Sequence, residues 1–137
     1  MPSALDAIGG EEALQRLVTR FYDLVEHDPV NHQLHRLHFR GHGLMHIRAE
    51  QMNFLSGYLG GRRYYQERHG HMDLRQIHAH VPIRDADADL WLGAMDKAIA
   101  DCGLNTTMPQ TARQALHRAA RMLVNDVPDW RNDGGTV

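Results

Sequence analysis

Histidine is over-supplied in this chain: 11 of 137 residues, against a single cysteine, Cys102. Neutral imidazole is a metal ligand and also the side chain that titrates nearest physiological pH. The composition therefore raises the question of metal binding before any fold is considered. One imidazole is set apart by its surroundings. His78 lies in the stretch YLGGRRYYQERHGHMDLRQIHAHVPIRDADADLW, residues 58–91, between Gly70 and Pro82. Glycine permits a tight turn on one side, and proline enforces an extended exit on the other. Such a segment pins a backbone without being part of a long helix, which is what an axial metal ligand needs. The competing reading is that His69, His71, His78 and His80 form a polar, solvated connector, and spacing alone leaves both open. A second grouping, His42, His46 and Glu50, is spaced i, i+4, i+8 on one helix face, the way helical bundles present imidazole and carboxylate to metals. A dinuclear centre would need matching clusters elsewhere. His117 stands alone on its helix and Glu26-His27 lie at a helix end, so neither supplies one.

The elements that must position these residues are helical. Leu14, Leu17, Val18, Phe21, Leu24 and Val25 repeat at helical spacing after Gly9-Gly10, with Glu11 and Glu12 where negative charge favours a helix start. Asp28-Pro29 stops that helix. A short helix is expected from Pro29 to about Leu37, and a longer one from Leu44 to Leu59 that ends at Gly60-Gly61. Its expected buried stripe is Ile47, Gln51, Phe54, Leu55 and Tyr58. Asp85 or a neighbouring aspartate can cap a helix carrying Leu90, Trp91, Ala94, Met95, Ala98 and Ile99. Pro109 opens a last helix with Ala112, Ala115, Leu116, Ala119, Met122 and Leu123. No segment alternates as a strand does. The connection from Gly60 to Ile83 is long for an idle loop and is a candidate functional segment.

Two polar residues break the apolar faces. Tyr22 lies one turn from Val18, so its ring points inward and its hydroxyl needs a partner. Gln51 sits in the apolar stripe of its helix, where an unsatisfied amide would cost about 1–3 kcal/mol. Alone it reads as an edge residue reaching water; with Tyr22 and Trp91 it reads as part of a polar corner in an apolar cavity.

Composition narrows the partners. The chain is sized for one domain, residues 1–130, with NDGGTV and its neighbours, 131–137, as a frayed tail. With 15 basic and 17 acidic residues, a formal charge of −2 and a pI near 6.6, nothing favours nucleic acid or an anionic membrane surface. The lone cysteine cannot form an intrachain disulfide, and MPSALDAIGG lacks the pattern of a signal peptide. A cytoplasmic setting is expected.

Four motifs taken in order carry a resemblance: AIGGEEALQRLVTRFYDLVEHDP, FLSGYLGG, GHMDLRQIHAHVPI and DLWLGAMDKAI. Together they resemble the truncated haemoglobins, specifically group II, over nearly the whole chain up to Asp101; the last helix matches only in character. The resemblance implies an all-α fold, the two-over-two helical sandwich of the truncated globin, holding haem b (iron protoporphyrin IX). It makes His78 the proximal iron ligand. It places Tyr22 of RFYDL on the distal side as a donor to bound oxygen, with Trp91 of DLWL facing the same pocket and Gln51 on the distal helix. Ile47 stands where many full-length globins carry a distal histidine. Phe54 belongs to the same haem-facing set, and either His38 or Phe39 lies over the haem, His38 being preferred because it follows Leu37. Where the family carries an arginine beside the proximal histidine this chain has Ile77, so Arg75 and Tyr65 are the substitutes for contacts at the haem edge. The partners so implied are oxygen, carbon monoxide, nitric oxide or another small ligand and an unidentified electron donor. Nitric oxide dioxygenase or peroxidase-like chemistry is compatible with that set, as is a monomer or a homodimer. The alternative is a non-haem metal bundle using His42, His46 and Glu50.

Overall fold

The computed structural model describes residues 3–39, 44–79 and 81–129. Eight α-helices follow one another, with no strand among the described residues: α1 (Ala4–Ile8), α2 (Gly10–His27), α3 (His32–Phe39), α4 (Leu44–Tyr58), α5 (Tyr64–His69), α6 (Leu74–Ile77), α7 (Asp85–Asp101) and α8 (Gln110–Met122). A 3-10 turn, Pro29–Asn31, joins α2 to α3. The four long helices make the two-over-two sandwich: α2 packs against α4 and α7, and α7 also packs against α8.

The spine of the sandwich is α2. Its buried face, Ala13, Leu14, Leu17, Val18, Phe21, Tyr22, Leu24 and Val25, follows the expected helical repeat and meets α4 on one side and α7 on the other. Gly9, at φ 114°, lets the chain turn from α1 into α2. At the far end the Leu24 carbonyl accepts both the Asp28 amide at 3.0 Å and the side-chain amide of buried Asn31 at 3.1 Å. Those bonds satisfy a helix terminus that burial would otherwise penalise. The Asp28 carboxylate then receives the Val30 amide at 3.2 Å, and Pro29 opens the 3-10 turn. The single helix expected from Pro29 to Leu37 is thus a 3-10 turn followed by α3.

Further differences from the sequence reading have local causes. The amino-terminal segment forms α1, begun by a reciprocal cap in which Ser3 Oγ accepts the Asp6 amide and Asp6 accepts the Ser3 amide. The long connection from Gly60 to Ile83 contains α5 and α6. On α4 the buried side is Leu55 and Ser56, continued by Leu59 just past its end, whereas Ile47, Gln51, Phe54 and Tyr58 are only half-buried. Ser56 can be buried because its hydroxyl donates to the Arg62 carbonyl at 2.9 Å across the Gly60-Gly61 turn. That turn is tight. A Cβ on Gly61 would stand 2.2 Å from Leu5 Cδ2, and the Leu5 amide donates to the Leu59 carbonyl at 2.9 Å. Helix α7 is capped by Asp87, whose buried carboxylate accepts the Arg84 amide at 2.9 Å, and Pro109 precedes α8 as expected. Tyr58 Oη ties α4 to α8 by donating to the Ala115 carbonyl at 2.9 Å. The tail expected at 131–137 lies outside the described residues. Among the described residues, no helix is long and apolar enough to cross a membrane.

Candidate haem site

His78 occupies the turn directly after α6. Gly70, at φ 81°, ends α5, and Asp73 then caps α6 by accepting the amides of Arg75 and Gln76 at 3.1 and 3.2 Å. His71 accepts the Asp73 amide through Nδ1 at 3.1 Å, so that imidazole is part of the turn. Beyond α6 the Val81 amide donates to the His78 carbonyl at 3.0 Å, and Pro82 is fully buried. His78 itself is half-buried. The pedestal read from Gly70 and Pro82 is therefore a one-turn helix with bonded ends.

Tyr22 is fully buried on α2. Burial pushes its phenol pKa well above the ordinary value of 10.0, against a smaller opposing effect from the Arg48 guanidinium. The phenol is therefore neutral at any physiological pH and keeps its O–H. Phe21 packs edge-on against Tyr22 with ring centroids 4.9 Å apart and meets Trp91 of α7 at 5.4 Å. Tyr22 and Trp91 thus share Phe21 as a neighbour. Arg48, which the sequence reading missed, places its guanidinium 5.7 Å from the Tyr22 ring centroid and bonds Glu26 at 3.1 Å, with Asp23 at 3.5 Å. No pattern in the sequence marks it, because a charged residue on α4 reads as a solvated one.

The half-buried line on α4 continues into α5. Phe54 stacks on Tyr58 at 5.7 Å and meets the buried Tyr65 edge-on at 5.6 Å; Tyr65 in turn lies 4.3 Å from the His69 ring. His69 Nε2 lies 2.6 Å from Glu50 Oε2. That pair occupies the carboxylate which the alternative metal set required. His42 lies outside the described residues, as do the side chains of His38, Phe39 and His46, and His80. Arg75 is exposed on α6, with its amide bonded to Asp73. Two polar surface depressions, one around Asp96, Arg113 and His117 and one around Arg20, His27 and Lys97, include none of the candidate residues.

The donor set discriminates between kinds of metal centre. Among the described residues, no three His, Cys, Asp or Glu side chains are grouped to hold an ion. Within that described set His78 would offer a single nitrogen, which is too little for a bare cation but is what an iron already held by four macrocycle nitrogens requires. The half-covered aromatic and aliphatic line Ile47, Phe54 and Tyr58 supplies apolar surface of the kind a flat, largely apolar group would cover. The residues fit haem.

Known proteins share this fold and sequence. The bacterial-like globin family matches residues 3–125. The group 2 truncated haemoglobin YjbI of Bacillus subtilis (strain 168) is 37% identical over 116 residues, covering 85% of this chain and 84% of its own. Among solved structures, the cold-adapted truncated haemoglobin of Pseudoalteromonas haloplanktis TAC125 superposes with a TM-score of 0.83 at 28% identity, covering 91% of this chain and 99% of that one. The group II 2-on-2 haemoglobin of Agrobacterium tumefaciens superposes at 0.79 with 30% identity, covering 91% and 95%. The chain belongs to the bacterial-like globin family, as a truncated haemoglobin of group II.

Proposed function

We propose that the chain binds haem b through His78 and holds a diatomic gas, oxygen foremost, on the face served by Tyr22 and Trp91. The observation that carries this reading is an imidazole held on a bonded turn between Gly70 and Pro82 in a chain of the globin family. When bound, haem supplies an iron with one position open to a small ligand. The protein's residues do the rest. His78 gives a neutral imidazole, and its turn restricts where the ring can swing. Tyr22, a neutral phenol whose pKa burial raises further, donates its O–H toward a ligand that gains negative character, and the Trp91 indole can only donate. Both therefore favour oxygen over the less polar carbon monoxide. Phe54, Tyr65 and Gln51 border the group, and Arg75 and Tyr65 are the contacts for its carboxylates. A relative in Bacillus subtilis is described as an oxygen-avid truncated haemoglobin and superposes at a TM-score of 0.79 with 36% identity, which supports the same reading. Slow release suits a sensor, a scavenger or a redox catalyst, such as a nitric oxide dioxygenase served by a cytoplasmic electron donor, better than bulk oxygen transport.

The test compares two substitutions. His78→Ala should lose the histidine-ligated ferrous and carbon-monoxide spectra, whereas His80→Ala should keep them. If His78→Ala retains the wild-type spectrum while His80→Ala loses it, the ligand assignment is wrong.

A further inference from the structure

Pro82 creates a local problem next to His78. It has no N–H, and it is fully buried, so the peptide groups on either side of it must find partners from outside the turn. Asn125, three residues beyond the end of α8, provides them. Its Nδ2 donates to the Val81 carbonyl at 2.9 Å, and its Oδ1 accepts the Ile83 amide at 3.1 Å and the Val127 amide at 3.2 Å. Its own backbone amide donates to the Ile83 carbonyl at 2.8 Å. Arg84 closes the arrangement, with Nη1 donating to the Asn125 carbonyl and Nη2 to the Val127 carbonyl, each at 2.7 Å. Arg84 is itself fixed through its amide to the Asp87 cap of α7.

A single planar side chain thus donates to one side of the proline and accepts from the other. An amide can do both, whereas a carboxylate cannot donate and an aliphatic group can do neither. The bonded path runs from the His78 carbonyl to the Val81 amide, from the Val81 carbonyl to Asn125, and by way of Arg84 to the start of α7. That path fixes the exit of the His78 turn against a long helix of the sandwich.

We propose that Asn125 is a positioning residue for His78: its amide clamp on Val81 and Ile83 sets the reach and orientation of the imidazole toward the iron. The inference rests on His78 being the haem ligand. Asn125→Asp keeps the acceptor toward Ile83 and removes the donor toward Val81; Asn125→Leu removes both at similar volume. The full chain loaded with haem is compared by resonance Raman in the ferrous state, and by the rate of haem transfer to apomyoglobin. Leu116→Ala, on the distant α8 core face, serves as a control for lost stability alone. The expected result is a shifted or broadened iron–histidine stretching band and haem loss faster by about five-fold or more in both Asn125 variants, with the band unmoved in Leu116→Ala. An iron–histidine band unchanged in position and width in Asn125→Asp overturns the proposal, even if that variant is less stable. Should Asn125→Leu fail to fold, Asn125→Asp and the wild-type amide exchange decide. Protection at Ile83 that outlasts that of exposed turns supports the clamp, and its absence overturns it. His78→Ala is run alongside: an iron–histidine band that survives there removes the His78 assignment itself, a result distinct from failure of the clamp.

Discussion

Tyr22→Phe removes one oxygen atom from a fully buried aromatic residue of the core and leaves its packing volume almost unchanged. The ring is fully buried, edge-on to Phe21 and near the Arg48 guanidinium, so the phenylalanine should occupy the same place without leaving a cavity. What disappears is the O–H donor of a neutral phenol. A hydrogen bond to a group carrying charge contributes about 1.5–3 kcal/mol, and each 1.36 kcal/mol is a factor of ten in rate, so oxygen dissociation from the haem-loaded protein should accelerate by about ten- to 150-fold. Carbon monoxide, which takes little negative charge, should change by less than about three-fold. Stopped-flow displacement of oxygen by carbon monoxide measures the first, and displacement of carbon monoxide by nitric oxide the second. Trp91→Phe should act in the same direction, and because both rings contact Phe21 the double variant need not be additive. Unchanged oxygen dissociation in both single variants, with the fold intact by circular dichroism, would refute the polar distal pocket. An equal acceleration of oxygen and carbon monoxide release would refute the hydrogen-bond argument and point to steric loosening.

Alkaline stability should report the same phenol. Because its folded pKa is raised, the unfolded chain loses this proton first as pH passes about 10, so stability falls above that pH by at most about 1.4 kcal/mol per unit for this group; urea melts from pH 8 to 11 should show a shallower decline for Tyr22→Phe, and an identical slope would contradict the assignment. Burial also raises the pKa of Tyr58 and Tyr65, so a residual decline is expected in that variant. Gly61→Val should destabilise by about 1–3 kcal/mol through overpacking, since its Cβ would meet Leu5 Cδ2 and the Ser56 carbonyl, and Leu5→Ala should recover part of the loss in the double variant; a wild-type denaturation midpoint for Gly61→Val would show that the turn is not close-packed.

What could be read from the chain alone depended on how far apart the interacting residues lie. The inward face of α2 was legible because eight buried positions repeat at one period and its termini carry glycine and Asp-Pro. The setting of His78 was legible for the same reason, as Gly70 and Pro82 act on their immediate neighbours. The face of α4 was not, because its buried side includes Ser56, a residue no hydropathy stripe would place there. Ser56 is buried only because the Gly60-Gly61 turn brings the Arg62 carbonyl to its hydroxyl. Helix α1 escaped a reading based on apolar repeats, although Ser3 and Asp6 carry the spacing of a capping box. Asn125 bonds atoms 42 and 44 positions earlier in the chain, and nothing adjacent to it announces that pairing.

Arg48 shows the same limit beside Tyr22. The sequence suggested Gln51 as the polar companion of Tyr22, because an amide stands out in an apolar stripe, whereas an arginine three residues earlier reads as solvated. In the fold, α4 crosses α2 so that Arg48 lies over the Tyr22 ring while Asp23 and Glu26 of α2 take up its charge. A cation beside a phenol lowers the cost of ionising it, but two carboxylates on that cation weaken its field, and burial prevails. The elevation of the Tyr22 pKa above the ordinary value is therefore set by burial, with Arg48 of α4 opposing it. The ion pairs that fasten α4 to α2 thus also place the one charge that acts on the phenol among the causes of its shift.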